Sequence, residues 1–374
     1  METVIANLAD AFRRSSRQVE IVTVLPGEGD EGADLVVFRN YWLQGRPLLR
    51  GRGHPGWKRV LLSPLLIVKR LDRRLSLRRF RQFIETLGDD ALVLLTSDLT
   101  AQMLADTGYR PGRGAVVVGQ YHGAFNSAGI HPPTLRKLRD AFRHVEGLVV
   151  LSAADAEQFA EIVEAPTFSV PNPHAPRDMV SADDAAAGAE RRARVVVALA
   201  RFSPEKRLDH MIRIFLRATS SDPSSPWELH LYGEGPERGK LEELVRASGT
   251  DRVKLMGWTD DSALVFRQAH MNMLTSRTEG FGMTVLEAAR AQIPTMAYDC
   301  SPGLRELMLN VDGYLIPQDD EDQYVTSLRR VLGHPDELVV RGRNAAQGAQ
   351  QYSAERVVAQ WGDVVSRLYG MRGD

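Results

Sequence analysis

Short apolar runs alternate with amphipathic stretches through the second half of the chain. The runs are bounded by polar or glycine-rich residues, a pattern typical of strands buried in a parallel sheet. Strands are predicted at residues 195–202, 227–232, 253–256, 271–276, 294–298 and 313–317. Helices are predicted between and after them at residues 207–218, 236–247, 260–269, 283–292, from Gly303 onward, and at 321–332, 336–350 and 353–369. This alternation predicts a doubly wound parallel sheet with helices on both faces.

The first half of the chain follows the same rhythm less regularly. Strands are predicted at residues 19–25, 33–38, 91–96, 115–119 and 148–151, and helices at 2–14, 133–145 and 153–162. Residues 173–192 are rich in alanine, aspartate, proline and glycine and have little apolar pattern, which indicates a linker. A chain of 374 residues is long enough for two domains. We therefore expect an α/β protein in which Rossmann-like domains, residues 1–172 and 193–352, face each other across a cleft.

The charges are unevenly distributed, although the net charge of the chain is only −1. Residues 41–82 carry ten arginines and two lysines against Asp72 alone, a net charge of +11, so the other residues together carry −12. We interpret this segment as a basic insertion in the first domain. It is either a solvated basic face or a surface that docks on anionic lipid or on a polyanionic acceptor. Nucleic acid is not expected as a partner, because aromatic side chains spaced for base stacking are lacking.

Composition narrows the class of protein. Apolar residues make up 43% of the chain and charged residues 25%, values that are ordinary for a soluble globular protein. No apolar run has the length of a transmembrane helix. The single cysteine, Cys300, excludes an internal disulfide and favours a reducing, cytoplasmic compartment. We interpret Cys300 as a small buried residue at a strand end, not as a nucleophile.

The most informative stretch is residues 276–298, SRTEGFGMTVLEAARAQIPTMAY. It follows a predicted strand, begins with the turn Glu279-Gly280-Phe281-Gly282 and continues into a predicted helix. This arrangement aims free backbone N–H groups and the positive end of a helix at a phosphate. Glu279 precedes the proposed anion site and Glu287 follows it, in the second turn of the helix. Taken alone, the stretch could also be an ordinary strand–helix turn with two surface glutamates.

Other motifs favour the anion site. Arg201 lies at the end of a predicted strand and Lys206 follows it, and two cations there can neutralise a departing diphosphate. Next come Tyr232-Gly233-Glu234-Gly235-Pro236, then Gly257-Trp258, then the glycine turn with Glu287. The order and spacing of these four motifs closely resemble the retaining glycosyltransferases of family 4. The resemblance is sharp over residues 165–368 and looser before them.

The resemblance implies a fold and a reaction. The fold would be GT-B, two Rossmann-like domains facing a cleft, with the C-terminal helix of residues 353–374 crossing back to the first domain. The protein would be a hexosyltransferase that moves a sugar from a nucleotide-diphosphate sugar, with a UDP-sugar favoured, to an acceptor hydroxyl with retention of configuration. In this family the donor phosphate itself is thought to deprotonate the acceptor. A glycosidase-type carboxylate pair is therefore the wrong template for Glu279 and Glu287.

The resemblance also implies a role for each matching residue. Arg201 and Lys206 would bind the diphosphate. Glu287 would accept hydrogen bonds from the ribose hydroxyls, and Glu279 would accept them from the transferred sugar. His122 resembles the family's sugar-contacting histidine in the first domain. Backbone around the diphosphate would come from the glycine turn and the start of its helix: Gly280, Phe281, Gly282 and Met283. The nucleotide base would lie near Gly233, Gly257 and Trp258.

Two further expectations follow from comparison with the family. Its members begin with a strand that comes before the first helix, whereas this chain begins with that helix. We expect the missing strand to lie upstream of Met1; the alternative is that the alignment with the family is misleading and the sheet closes differently. Several features of the first domain look distantly like teichoic-acid α-glucosyltransferases. A teichoic-acid-like, glycan or lipid-linked acceptor, and a peripheral position on the inner face of the membrane, would account for the basic segment 41–82.

No metal and no cofactor are expected. The letters Asp320-Glu321-Asp322 match a metal-binding pattern, but we interpret them as the capped start of a helix. Two alternatives remain: a sugar phosphorylase of the same fold, or a non-catalytic glycosyltransferase-like subunit that binds a membrane or a partner.

Overall fold

The structure is a computed structural model, and it describes residues 2–19, 22–23, 35–36, 63–112, 114–125, 132–174, 194–222 and 224–373. The predicted linker lies almost wholly outside these ranges, as does the basic segment before Ser63. In the part of the chain that is described, no helix combines the length and apolar character needed to span a membrane.

The second half of the chain forms a six-stranded parallel sheet. Its strands are Arg194–Leu199 (β7), Trp227–Tyr232 (β8), Val253–Gly257 (β9), Met271–Leu274 (β10), Thr295–Tyr298 (β11) and Tyr314–Ile316 (β12). They lie in the order β12-β11-β10-β7-β8-β9, so the order reverses between β7 and β10. In open parallel sheets, ligands bind at such a reversal, outside the carboxyl ends of the strands.

Helices cover both faces of this sheet. They are Leu208–Thr219 (α6), Arg238–Ser248 (α7), Ser262–Gln268 (α8), Met283–Arg290 (α9), Pro302–Asn310 (α10), Glu321–Leu332 (α11), Pro335–Ala349 (α12) and Ala354–Gly373 (α13). Each predicted helix of this half is present, with ends displaced by no more than a few residues. The capping interpretation of the acidic triad is confirmed, because the Asp320 side chain accepts a hydrogen bond from the Gln323 N–H at the start of α11.

The first half of the chain contains two parallel sheets in its described residues. Strands Val22–Thr23 (β1) and Leu35–Val36 (β2) pair with each other. The larger sheet has the order β3-β4-β5-β6, with strands Leu92–Leu95 (β3), Val116–Gln120 (β4), Gly147–Val150 (β5) and Thr167–Ser169 (β6). The strand expected upstream of Met1 stays a prediction, as do the domain boundaries.

Five helices accompany these strands: Glu2–Arg14 (α1), Ser63–Thr86 (α2), Asp98–Asp106 (α3), Pro132–Phe142 (α4) and Ala153–Ala160 (α5). Helix α3 was not predicted. It is short, and the residues that begin it are polar: the side chains of Ser97 and Thr100 form a capping box at its N-terminus. Helix α2 is continuous over 24 residues.

The last helix ties the two halves of the chain together. Helix α13 packs on α1 and β4, and the Trp361 ring lies 6.3 Å from the Phe12 ring between their centroids. Near the end of α13, the Arg372 guanidinium donates to both carboxylate oxygens of Glu146 and to the carbonyls of Gly114 and Ala115. These contacts hold the carboxyl ends of the two large sheets facing the same cavity.

Candidate functional site

A cavity of about 280 Å³ lies where the carboxyl ends of β7 and β10 face the first half of the chain. The second half contributes the residues after these two strands and the start of α9. The first half contributes Val4, His122, Leu151 and Asn172. The cavity therefore lies at the strand reversal and has walls from both halves, as expected for a cleft between two Rossmann-like domains.

The glycine turn forms one wall of the cavity. Gly280, Phe281, Gly282 and Met283 all line it. Gly282 is the N-cap of α9, its φ of 89° lies in the left-handed region that favours glycine, and no side chain caps the helix there. Phe281 is buried and packs edge-on against Tyr352 at 5.4 Å between ring centroids. The turn thus directs the positive end of α9 at the cavity, where a phosphate would be stabilised.

Lys206 and Glu279 form an ion pair in the same wall. The Lys206 ammonium lies 2.6 Å from Oε1 of Glu279, and the two side chains are only 24% and 13% exposed. The Ser276 hydroxyl donates to the same carboxylate oxygen at 2.7 Å. An ammonium held here is placed to receive an anion, and the carboxylate beside it can accept hydrogen bonds from hydroxyl groups.

The backbone around Lys206 is locked in place. Lys206 ends the 3₁₀ turn Pro204–Lys206, and the next residue, Arg207, has a φ of 52°, which is uncommon for a side chain of this kind. The Thr275 hydroxyl, just beyond β10, reaches the carbonyls of Lys206 and Arg207 at 3.2 and 3.1 Å. A strained turn held by a buried hydroxyl positions Lys206 without relying on its own side-chain contacts.

Arg201 lies outside the cavity lining and is exposed. Its neighbour Ala200 lines the cavity, so Arg201 stands at the rim. The pKa of Glu205 is lowered, chiefly by its hydrogen bond from Ser203 and in smaller part by the charges of Lys206 and Arg201. The two predicted cations therefore lie near each other, one in the wall and one at the edge.

The residues predicted to surround the nucleotide base lie outside the cavity, at the ends of β8 and β9. The Gly233 N–H donates to the Gly257 carbonyl at 2.8 Å. A Cβ atom at Gly233 would lie 1.9 Å from the Ala200 carbonyl, so only glycine fits there. Trp258, which follows β9, is 71% exposed. An exposed indole beside close-packed backbone offers a flat surface on which a base can stack.

Glu287 is half-buried in α9 and does not line the cavity, whereas Met283, one turn earlier, does. Glu287 lies in the second turn of α9, and its role toward the ribose stays a prediction.

The glycine turn touches the first half of the chain at His122. A Cβ atom at Gly280 would lie 2.0 Å from the His122 carbonyl oxygen, so the two backbones meet directly. Burial lowers the pKa of the His122 imidazole to about 4, although the Asn172 amide raises it. The ring is therefore neutral at physiological pH. Neither ring nitrogen forms a well-aligned hydrogen bond with a described residue.

Asn172 is a polar cavity residue that sequence reasoning did not single out. It is 3% exposed, and its buried Oδ1 has no hydrogen-bond partner among the described residues. Buried polar groups are normally paired, so an amide oxygen and an imidazole that both lack a well-aligned partner among the described residues, and that line one cavity, favour a polar ligand there. The signal available in the sequence was an asparagine at the junction between an apolar run and the linker.

Cys300 lies just beyond the end of β11, as predicted, but it is only partly buried. The thiol is half-buried, and burial together with the nearby Glu279 carboxylate raises its pKa to about 12. It is therefore protonated and a weak nucleophile at neutral pH.

Two parallel α/β sheets that enclose a cavity between their carboxyl ends, with a C-terminal helix crossing back, constitute the GT-B glycosyltransferase fold. The structure matches sucrose-phosphate synthase from Thermosynechococcus elongatus with a TM-score of 0.71 at 16% identity, over 98% of this chain and 93% of that one. It matches S. aureus TarM, solved with UDP, with a TM-score of 0.67 at 18% identity, over 79% of this chain and 59% of that one. The predicted fold class is confirmed.

Sequence comparison agrees with the fold. Residues 193–334 match the family described as glycosyl transferases group 1. The chain is 31% identical to an exopolysaccharide phosphotransferase of Streptomyces coelicolor over 186 residues, 48% of this chain and 19% of that protein. It is 22% identical to the poly(ribitol-phosphate) alpha-N-acetylglucosaminyltransferase of Staphylococcus aureus over 249 residues, 66% of this chain and 49% of that protein. The chain thus spans less than half the length of either relative.

Proposed function

We propose that this protein is a retaining, metal-independent glycosyltransferase of family 4. It would transfer a hexosyl group from a nucleotide-diphosphate sugar, with a UDP-sugar favoured, to a hydroxyl of a cell-envelope glycan. The observation that carries the proposal is the Lys206–Glu279 ion pair beside the N-terminus of α9, which no side chain caps, in a cavity completed by His122.

The diphosphate would bind against the second half of the chain. Lys206 in the wall and Arg201 at the rim supply positive charge, and backbone N–H groups at the start of α9 point at the same place. The oxygen that leaves the anomeric carbon gains negative charge in the transition state, so preorganised cations and amides stabilise it. The ribose would reach Glu287, and the base would lie near Gly233, Gly257 and Trp258.

The transferred sugar would lie between the two halves of the chain. Glu279 faces it from the second half, and His122 and Asn172 from the first. Because the His122 ring is neutral, it contributes one donor and one acceptor and adds no positive charge near the oxocarbenium-like carbon. Sugar hydroxyls would form hydrogen bonds with the ring nitrogens of His122 and with Oδ1 of Asn172, which lack well-aligned partners among the described residues.

The ion pair favours a mechanism without a carboxylate nucleophile. Glu279 is already engaged by Lys206 and Ser276, which suits a hydrogen-bond acceptor better than an attacking group. The bond from the anomeric carbon to the phosphate oxygen breaks, the bond to the acceptor oxygen forms on the same face, and the acceptor proton passes to the departing phosphate. That phosphate is held where Lys206 stabilises its charge.

The names of the relatives support an envelope acceptor. One acts on poly(ribitol-phosphate) and another is an exopolysaccharide enzyme. We infer an acceptor that is a polyanionic, teichoic-acid-like or lipid-linked glycan, and a cytoplasmic protein that works at the inner face of the membrane.

Binding of one nucleoside diphosphate should raise the melting temperature of the whole chain by several degrees at saturation. A ligand at about 100 times its Kd adds roughly 2.7 kcal/mol to the free energy of unfolding, and about 1 kcal/mol corresponds to about 2–4 °C in a domain of this size. The measurement is a thermal-shift and hydrolysis panel with UDP, GDP and ADP and their sugars. Phosphate-dependent release of a sugar 1-phosphate, without response to any nucleotide sugar, would establish the phosphorylase instead. Absence of any response would favour the non-catalytic subunit.

Replacing Asn172 with leucine should lower kcat/KM for sugar transfer about tenfold and leave the affinity for the nucleoside diphosphate unchanged. Leucine has a similar size but cannot hydrogen-bond, and one hydrogen bond contributes about 0.5–1.5 kcal/mol. Steady-state kinetics and the UDP thermal shift, compared in the same variant, separate the two effects. If transfer and nucleotide affinity fall together with the melting temperature, Asn172 is a packing residue only.

A further inference from the structure

Helix α2 carries a solvent-facing surface in which leucines and arginines are mixed. We call it the α2 face, and it consists of Leu71, Arg74, Leu75, Arg78 and Arg79. All five side chains are exposed, the two leucines by 52% and 53%. Half-exposed leucines one helical turn apart are a feature that a simply solvated basic helix does not need.

Helical geometry places these residues together. Successive residues of an α-helix are about 100° apart, so Leu71, Leu75 and Arg78 project within roughly 60° of one another, with Arg74 and Arg79 on either side. The opposite side of α2 is buried, through Ser76, Phe80 and Ile84. Phe80 and Ile84 belong to the core beneath the four-stranded sheet. The α2 face is therefore held outward by a packed core.

The arginines of the α2 face have no ion-pair partner in the part of the chain that the structure describes, unlike their neighbours. Arg73 pairs with Asp106 of α3, and Arg81 pairs with Glu85. Arg73 projects from the side of α2 that packs on α3, and Arg81 projects close to the edge of the α2 face. Arg74, Arg78 and Arg79 keep their charge available to an external anion.

The direction of α2 relates the face to the cavity. Helix α2 is followed directly by β3, and a helix that leads into a strand of a parallel sheet runs antiparallel to the strands in α/β folds. We therefore infer that the N-terminal end of α2 lies toward the carboxyl edge of the sheet. The cavity opens at that same edge. A surface bound along the α2 face would thus lie beside the mouth of the cavity.

We propose that the α2 face docks on an anionic lipid surface, with the arginines among the headgroups and Leu71 and Leu75 inserted at the acyl boundary. The arginines alone could bind any polyanion. A soluble polyanion, however, offers no apolar region into which the two leucines could insert. A basic face with apolar side chains is the arrangement that binds in the plane of a membrane interface. The proposed function supplies the biological reason for docking. Docking itself is measured without donor or acceptor, so it can be tested independently of the proposed function.

The experiment measures co-sedimentation of the whole chain with phosphatidylcholine vesicles that contain or lack phosphatidylglycerol, at low and high salt. The wild type should bind only the anionic vesicles. Each arginine near an anionic surface contributes roughly fivefold to binding, so Arg74→Gln, Arg78→Gln and Arg79→Gln together should weaken it roughly 100-fold. The pair Leu71→Ser and Leu75→Ser should weaken it about tenfold or more, since each loses buried CH₂ groups.

Matched variants control for charge and for exposed leucine elsewhere in the first half. Arg136→Gln, Arg139→Gln and Arg143→Gln remove three exposed arginines in and just after α4, and Leu99→Ser removes a leucine of α3 that is 48% exposed. Both should bind like the wild type. Melting temperature and donor hydrolysis should stay unchanged in all variants, so a failure of docking is distinguishable from a failure of the proposed function.

Three outcomes would overturn the proposal. The first is a wild type that ignores anionic vesicles. The second is an arginine triple variant of the α2 face that binds no more weakly than the α4 triple variant. The third is a leucine variant that binds vesicles like the wild type while the arginine variant loses binding to vesicles and to soluble polyphosphate alike, which would make the α2 face a polyanion surface.

Discussion

Replacing Lys206 with alanine should lower the rate of sugar transfer about 10²–10³-fold, the size of effect seen when one preorganised group that stabilises a developing anion is removed. The ammonium lies in the cavity wall, is held by a strained turn, and pairs with Glu279, whose carboxylate also accepts a hydrogen bond from the Ser276 hydroxyl. When the sugar bond breaks, no other described side chain in the wall can take its place, because Arg201 stands at the rim.

The matched control is Lys254→Ala. Lys254 also pairs with a glutamate, at 2.8 Å, but on the exposed surface of β9, with 44% of its side chain accessible. Such pairs contribute about 0–1 kcal/mol, so neither rate nor melting temperature should change appreciably. The measurement is kcat/KM for sugar transfer, with the nucleotide sugar that the thermal-shift panel identifies as the donor. A Lys206→Ala enzyme that works within a factor of a few of the wild type would contradict the diphosphate assignment.

Replacing Gly280 with alanine should lower the rate of transfer about 100-fold or more. The added Cβ would lie 2.0 Å from the His122 carbonyl, so the glycine turn and the first half of the chain must separate by more than about 1 Å. A displacement of about this size between reacting groups can reduce a rate about 10²-fold. Gly280 does not have a positive φ, so the effect comes from the contact and not from backbone strain.

Gly239→Ala serves as the control for Gly280→Ala. Gly239 lies in α7 and also lacks a positive φ, and a Cβ added to it would meet no described atom within 4 Å. Alanine there should keep the activity and stabilise the helix by about 0.5–1 kcal/mol. Nucleotide binding in Gly280→Ala should fall less than transfer, because the proposed diphosphate site is formed by the second half alone. Full transfer activity would show that the contact between Gly280 and His122 does not exist in the working enzyme.

Local sequence determined most of the second half of the chain. Its strands are continuous apolar runs, and its helices have strong apolar periods bounded by glycine, proline and capping residues, so each element could be located from its own residues. The acidic triad at Asp320 was interpreted correctly for the same reason, because a helix cap depends on three or four neighbouring residues. Helix α3 was not predicted because a short helix that begins with polar residues has little apolar periodicity of its own.

The candidate site could be predicted only in part from the local sequence. The sequence by itself determined the glycine turn, the helix that follows it, and the positions of Lys206 and Glu279 shortly after two predicted strands. Only the tertiary structure decided that Lys206 pairs with Glu279, that Arg201 stands at the rim, and that Asn172 and His122 form the opposite wall. The physical reason is that these relations join residues far apart in the chain. They depend on how two sheets pack and on which polar atoms burial leaves without a partner.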